Sequence, residues 1–249
     1  MKYTITQWLQ SPRGSALLNA EKHVLSDSLE DCFGWQTLQI GAWGDGRSST
    51  LLANGRTRSQ AVVAGARATG DILARLTQLP IASDSIDAVI LPHTLEFELD
   101  PYALLREAER ILAGDGKLLI LGFAPWSPWG LRAIATRLGF PPELRRVISE
   151  WRLRDWLKLL GFELLGARRY LYELPWGKVG SVQEEARRLR RGWLYPLPAS
   201  GYLLKARKCR HALTPLRSRL RERRTMLGGF ETSSAKTLSE PAPLHLSYD

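Results

Sequence analysis

The stretch IDAVILPHTLEFELDPYALLREAERILAGDGKLLILGF, Ile86 to Phe123, contains two apolar runs on either side of an amphipathic one. IDAVILP (Ile86–Pro92) and KLLILGF (Lys117–Phe123) are typical of strands buried on both faces of a parallel sheet. The segment between them has apolar residues at helical spacing, namely Leu104, Leu105, Ala108, Ile111 and Leu112. We expect this helix to end at the Gly114–Gly116 pair. The βαβ unit so formed predicts a doubly wound, mostly parallel α/β sheet.

The segments before this unit predict one helix and two further strands. SALLNAEKHVLSDSLEDCF (Ser15–Phe33) has the helical period, with a predicted apolar face of Leu17, Leu18, His23/Val24, Leu25 and Leu29. TLQIGAW (Thr37–Trp43) is a strand that continues into a glycine turn, and AVVAG (Ala61–Gly65) is a second strand. A strand, a glycine turn and a helix commonly form the floor of a nucleotide-like cofactor site.

The segments after Phe123 complete the sheet. APWSPWG predicts an ordered loop, and SEWRLRDWLKLLGFELL predicts a helix with Ser149 as its N-cap, Gly161 at its end, and Trp151 and Trp156 in the core. FELLGARRYLYEL and GYLLKARKC are strand-like and close enough along the chain to pair at the sheet edge. VQEEARRLRRGWL between them predicts a short charged helix. We predict one α/β domain over residues 1–209 and a basic, then Ser/Pro-rich, largely disordered tail over residues 210–249.

The composition narrows the class of protein. The 249 residues are 44% hydrophobic, which is enough for a core, and no apolar run approaches the roughly 20 residues that span a bilayer. The opening MKYTITQWLQSPRG has no apolar stretch suited to a secretory signal. Cys32 and Cys209 have no metal-ligand spacing and imply no disulfide framework. We therefore expect a cytoplasmic protein without a metal or a membrane partner.

The positive charge is concentrated in one half of the chain. The formal net charge is +10, and residues 131–224 hold 23 Lys and Arg against 8 Asp and Glu. Such an excess attracts nucleic acid or another acidic partner, but it also suits a solvated arginine-rich surface. We favour the solvated surface, because no aromatic residues are interleaved with the charge in a nucleic-acid-binding motif.

The segment Leu79–Phe123 resembles the central part of the class I S-adenosylmethionine-dependent methyltransferases. The resemblance lies in Leu79–Pro80, Ser85–Asp87, His93–Glu96 and Gly116–Leu118. More narrowly, LPHTLEF, LREAERIL and GFAPWSPWGLR resemble a bacterial group of uncharacterised, methyltransferase type 11-like proteins, and this likeness runs from about Trp8 to about Lys208. It implies a Rossmann-like seven-stranded sheet with an antiparallel last strand, S-adenosyl-L-methionine as cofactor, and a methyl acceptor that the sequence does not identify.

The resemblance also implies the residues of the site. On the cofactor side these are Gln39, Gly41, Ala42, Trp43, Gly44, Leu79, Pro80, Leu91 and Pro92. On the acceptor side they are His93, Glu96, Phe123, Trp126 and Trp129, with His93 as the candidate catalytic base. Each has a structural alternative: His93 as a packed, hydrogen-bonded histidine, and the two tryptophans as anchors of their loop rather than an aromatic wall.

Several family features are replaced in this chain. Gln39 stands where many members have an acid, Trp43 stands at a position usually held by glycine, and AVVAGAR has no acid after the second strand. Arg75 lies near the position of the acid that often contacts adenine. An alternative function is therefore a non-catalytic module that has lost the cofactor and acts through its basic half. A cleft blocked by Trp43 or Arg75 would favour that module, and an open cleft would favour the enzyme.

Overall fold

The described part of the chain forms a sheet of seven strands. The computed structural model describes residues 4–44, 51, 56–65, 68–135, 140–172 and 198–209. In chain order the elements are α1 (Ile5–Leu9), α2 (Pro12–Leu29), β1 (Phe33–Ile40), β2 (Arg56–Ala64), β3 (Ile72–Leu73), β4 (Ile86–Pro92), α3 (Thr94–Phe97), α4 (Pro101–Ile111), β5 (Leu112–Phe123), α5 (Pro128–Ala135), α6 (Glu150–Leu159), β6 (Phe162–Tyr170) and β7 (Gly201–Lys208).

The strand order is β3-β2-β1-β4-β5-β7-β6. Strands β1 to β5 pair in parallel, and β7 is antiparallel to both β5 and β6. The predicted fold class is confirmed, including the pairing of the two late strands at the sheet edge. The strand order reverses between β1 and β4, and the carboxyl ends of strands at such a switch point are where open α/β sheets bind ligands.

Each face of the sheet is covered by helices. Along β4, Val89 and Leu91 pack into a core with α4 and α6, while Ile90 packs into the opposite core with α2. This alternation follows from the two-residue period of a strand, and it explains why β4 is apolar apart from Asp87. Each fully buried leucine stabilises the fold by about 1.5–3 kcal/mol before entropy is counted.

Two predicted boundaries are wrong. Helix α4 ends at Ile111, before the Gly114–Gly116 pair, and both glycines lie in β5. Leu112 is fully buried and pairs with Ile86. It therefore belongs to β5, although helical periodicity predicted it to lie in α4. Strand β1 begins at Phe33 and ends at Ile40, because Gly41 adopts a positive φ of 102°.

The helices follow their predicted faces with two exceptions. In α6, Ser149 is the N-cap and accepts a hydrogen bond from the Arg152 backbone N–H (3.3 Å), as predicted. The prediction that Trp151 lies in the core is wrong, because its side of α6 faces solvent and the residue is 82% exposed. In α2, His23 is also on the exposed side, and the buried polar residue of that helix is Glu21.

The described residues all belong to one unit, Met1–His211. No helix among them is long and apolar enough to span a bilayer. The predicted charged helix in VQEEARRLRRGWL and the predicted tail lie outside the described residues, and the boundary at residue 209 stays a prediction.

Candidate functional site

A cavity of about 760 Å³ lies at the carboxyl ends of β1 and β2. On this side its described lining consists of Ala42, Gly44 and Gly65, followed by Ala68 and Thr69. These residues are small, so backbone forms much of the surface. The volume is within the range of about 300–1,000 Å³ typical of small-molecule sites.

The rest of the described lining, which we call the second wall, comes from three separate segments. It consists of Thr4, Ile5 and Thr6 at the start of the chain, Phe97 at the end of α3, and the pair Glu143 and Arg145. The backbone N–H groups of Arg145 and Arg146 donate to the Glu96 carbonyl oxygen (3.2 and 3.3 Å). The segment that carries Glu143 and Arg145 is thereby fixed to α3.

The turn after β1 needs glycine for a packing reason. Gly41 has a φ of 102°, and a Cβ at this position would overlap the Thr94 hydroxyl and lie 2.8 Å from its Cγ2. Thr94 is held there because its hydroxyl donates to the Ile40 carbonyl oxygen (2.5 Å). Glycine at residue 41 therefore permits close contact between the β1 turn and the β4 turn.

Gln39 occupies the buried end of β1. Its Nε2 donates to the Gly41 carbonyl oxygen (3.0 Å), which holds the turn. Its Oε1 has no hydrogen-bond partner among the described residues. A buried amide oxygen without a partner is uncommon, so Gln39 offers one free acceptor beside the cofactor turn.

Trp43 is directed away from the cavity. It is 6% exposed and its indole N–H donates to Glu21 Oε2 (2.6 Å). Its ring packs on His93 and on Phe97, with centroid distances of 4.6 and 5.8 Å. The bulky residue in the glycine turn is consequently an anchor on the far side of the turn, and it leaves the space beside Gly44 open.

His93 lies at the centre of a fully buried polar network. Its Nε2 is 2.8 Å from Glu21 Oε1 and its Nδ1 is 2.8 Å from Glu96 Oε2. The Tyr170 hydroxyl lies 3.2 Å from Nε2, and the Phe123 ring packs 4.0 Å from the imidazole. The backbone of His93 has a φ of 55°, which is uncommon for a residue other than glycine.

Two opposing effects act on the protonation of His93. Burial lowers its pKa, but the charges and hydrogen bonds of Glu21 and Glu96 raise it more strongly, to about 9 from the ordinary 6.5. Burial raises the pKa of Glu96, against the opposing effects of His93 and the Phe123 and Ile148 backbone. It also raises the pKa of Tyr170 well above its usual value. At neutral pH the network thus holds an imidazolium beside a neutral phenol.

Comparison with known proteins gives the family. A family model described as a methyltransferase domain matches residues 39–120. The uncharacterized protein YafS of Escherichia coli strain K12 is 35% identical over 175 residues, which cover 70% of this chain and 71% of that protein. The chain belongs to the class I S-adenosylmethionine-dependent methyltransferase family. S-Adenosylmethionine is the cofactor of this family.

A second relative and a solved structure are also similar to this chain. The uncharacterized protein Rv2003c of Mycobacterium tuberculosis (strain ATCC 25618 / H37Rv) is 33% identical over 177 residues, which cover 68% of this chain and 60% of that protein. A methyltransferase structure from Archaeoglobus fulgidus is 15% identical, with a TM-score of 0.55 over 75% of this chain and 92% of that one. At this identity the structure supports the methyltransferase fold alone.

The structure separates the residues that the family resemblance implied for the cofactor. Ala42 and Gly44 line the cavity among the described residues, whereas Gln39, Gly41 and Trp43 are buried on the other side of the turn. Of the other predicted cofactor residues, Leu79, Leu91 and Pro92 are buried and Pro80 is exposed. Their assignment to the cofactor stays a prediction.

The residues predicted for the acceptor side are also separated. His93, Glu96 and Phe123 belong to the buried network. Trp129 is 3% exposed and stacks on Phe123 at 6.2 Å, so it anchors its loop, while Trp126 is 83% exposed. None of these five is among the described lining residues of the cavity.

Sequence reasoning missed Glu21, although a signal was available. Glu21 lies on the apolar face of α2 with Leu17, Val24 and Leu25, and a charged residue on such a face is rarely buried without a partner. The wall residues Thr4, Phe97, Glu143 and Arg145 gave no comparable signal, because the fold brings them together from distant parts of the chain.

Proposed function

We propose that this chain transfers a methyl group from S-adenosylmethionine, bound beside Ala42, Gly44 and Gly65, to an acceptor that binds at the second wall of the cavity. The observation that carries the proposal is the position of Trp43, which is buried against Glu21 and leaves the cavity open. An open cleft at the switch point of a methyltransferase sheet is the expected place for the cofactor.

The residues at this position suit the cofactor. The small residues Ala42 and Gly44 let the backbone approach a ligand closely. When bound, S-adenosylmethionine supplies an electrophilic methyl group on a positively charged sulfur. Glu143 is the carboxylate among the described lining residues.

The role of the chain in the reaction is to align the reactants and exclude water. Methyl transfer is an in-line displacement, and correct placement of nucleophile and methyl group can supply much of the rate. Thr4, Phe97, Glu143 and Arg145 of the second wall line the same cavity and would hold the acceptor there. We assign no proton transfer to His93, because both its nitrogens are bonded to carboxylates and it is protonated at neutral pH.

For the acceptor we propose a small molecule in preference to a nucleic acid. Much of the described basic charge is already paired with acids: Arg168 with Asp27, Arg154 and Arg169 with Glu150, Lys205 with Asp31, Arg207 with Glu163, and Lys208 with Asp84 and Glu109. A paired guanidinium attracts phosphate less than a free one does. The runs EEARRLRRGW and RSRLRERR lie outside the described residues.

Calorimetry with S-adenosylmethionine and S-adenosylhomocysteine tests the function. We expect both to bind with one site per chain, and failure of both to bind at millimolar concentration would refute it. Fluorescence anisotropy with RNA and DNA at two salt concentrations tests the acceptor class. Binding below 1 µM at physiological salt that is lost on changing Arg187, Arg188, Arg190 and Arg191 to Gln would overturn the preference for a small molecule.

The alternative, a module without cofactor, has no support among the described residues. A cleft blocked by Trp43 or Arg75 would favour it. Trp43 is buried behind the turn, and Arg75 is exposed and is not among the described lining residues.

A further inference from the structure

One buried carboxylate contacts the cofactor turn from behind. Ala42 and Gly44 line the cavity, and the residue between them, Trp43, points in the opposite direction. Its indole N–H donates to Glu21 Oε2 on α2 at 2.6 Å, and both residues are buried. Since a charge-assisted hydrogen bond is stronger than a neutral one, this contact fixes the middle of the turn.

Glu21 is also linked, through His93 and Glu96, to the segment that carries Arg145. Glu21 Oε1 pairs with His93 Nε2, and His93 Nδ1 pairs with Glu96. The Glu96 carbonyl oxygen accepts the backbone N–H of Arg145, and Phe97 is the next residue in the chain. The contacts that start at Glu21 therefore lead both to the Ala42–Gly44 turn and to residues of the second wall.

We propose that Glu21 is a positioning residue for cofactor binding, which acts through Trp43 to hold the Ala42–Gly44 turn in its binding conformation. The inference rests on the proposed function and adds a role on α2, outside the cavity lining. A turn that is fixed before the ligand arrives loses less conformational entropy on binding.

The burial of the network supports this role over a purely stabilising one. Buried ion pairs contribute little to stability compared with apolar residues of the same size, because both charges lose their hydration. Leu17 and Leu25 on the same face of α2 show that apolar packing is available at this position. What a leucine at residue 21 could not provide is an acceptor for the Trp43 indole.

Three variants and one control separate positioning from general stability. Glu21→Leu removes the acceptor, Glu21→Gln keeps an acceptor for the indole, and Trp43→Phe removes the donor while keeping an aromatic ring. Leu157→Ala is the control, because Leu157 is buried in the core on the other face of the sheet and does not line the cavity. Its free energy of unfolding is measured beside those of the variants, so that stability effects can be subtracted.

The first measurement needs no ligand. Hydrogen exchange of the Leu38–Gly44 backbone is followed in the free protein at a temperature where every variant is folded. We expect Glu21→Leu and Trp43→Phe to exchange faster than the wild type in this segment, and Glu21→Gln and Leu157→Ala to remain close to it. Equal exchange in Leu157→Ala and Trp43→Phe would overturn the positioning role.

The second measurement is the Kd of S-adenosylhomocysteine by calorimetry, normalised to the folded fraction. We expect Trp43→Phe and Glu21→Leu to weaken binding on the order of tenfold, the size expected for one hydrogen bond to a charged group. Glu21→Gln should stay within about threefold of the wild type, because its amide oxygen still accepts the indole N–H. Unchanged affinity in Trp43→Phe refutes the inference and leaves the proposed function intact. If the wild type binds no ligand, the proposed function fails, and the exchange measurement alone decides whether Glu21 fixes the turn.

Discussion

Gly65 is the position at which a side chain can be introduced into the cavity with the least disturbance of the fold. It follows directly after β2 and lines the cavity, and a Cβ placed on it meets no atom of the described residues within 4 Å. A Cβ on Gly41, in contrast, would overlap the side chain of Thr94. Gly65→Phe should therefore fill part of the cavity without altering the core.

The expected loss of affinity follows from the steric cost. Overfilling a packed site costs about 1–3 kcal/mol. If the cofactor occupies the space beside Gly65, that cost appears as a rise in Kd of about 5- to 150-fold. Gly65→Ala is the matched control: one methyl group in open space should change the Kd less than about threefold and stabilise the fold by about 0.4–1 kcal/mol through the unfolded chain.

Calorimetry with S-adenosylhomocysteine and urea unfolding of the same samples are the two assays. Gly65→Phe should keep the free energy of unfolding of the wild type to within about 1 kcal/mol, as expected for a surface substitution. A Gly65→Phe variant that binds as tightly as the wild type would show that the ligand lies elsewhere. An equal loss of affinity in Gly65→Ala would show that the glycine backbone, and not the space, is what matters.

Three other outcomes are expected. Gly41→Ala should destabilise the fold by about 2–5 kcal/mol in urea unfolding, because the positive φ and the overlap with Thr94 both oppose a Cβ; adding Thr94→Ala should recover only the steric part. Burial lowers the pKa of His93, but Glu21 and Glu96 raise it to about 9 from 6.5, so the folded state binds this proton more tightly than the unfolded state does. The resulting stabilisation, on the order of 3 kcal/mol, should be complete below pH 6.5 and lost as the pH rises through about 9. Urea unfolding across this pH range should show the loss of stability in the wild type and not in His93→Gln. Gly65→Asp should restore the acid that the family usually has after its second strand and tighten S-adenosylmethionine binding about tenfold, whereas Gly65→Asn should not; equal affinities by calorimetry would argue against a ribose position beside residue 65.

Most of the fold could be predicted because apolar periodicity reports burial directly. β4 apart from Asp87, and β5 from Leu118 to Phe123, are apolar because both faces of the central sheet are covered, and the predicted βαβ unit is present. Helix ends were less predictable: Leu112 satisfies a helical stripe and a strand equally well in sequence, and only its pairing with Ile86 decides. The predicted burial of Trp151 is wrong for a related reason, because hydrophobicity alone does not show which side of α6 faces the sheet.

The candidate site was less predictable than the fold. Motif positions located the turn at Ala42–Gly44, but the direction of each side chain depends on the positive φ values of Gly41 and Gly44. The second wall brings together residues more than ninety positions apart, such as Thr4 and Phe97, and a local pattern carries no information on this. Sequence could nominate Trp43 as an obstacle to the cofactor; only its bond to Glu21 shows that it is an anchor.

The two unusual residues of the turn can now be understood together. Gln39 is 2% exposed, so an acid at residue 39 would be a buried carboxylate, and a buried charge without a partner is costly. Gln39 avoids that charge and still holds the turn through the Gly41 carbonyl oxygen. Trp43 in turn needs an acceptor for its indole, and Glu21 supplies it. We therefore expect the affinity for S-adenosylmethionine to depend on the shape and rigidity of the turn rather than on a carboxylate at residue 39.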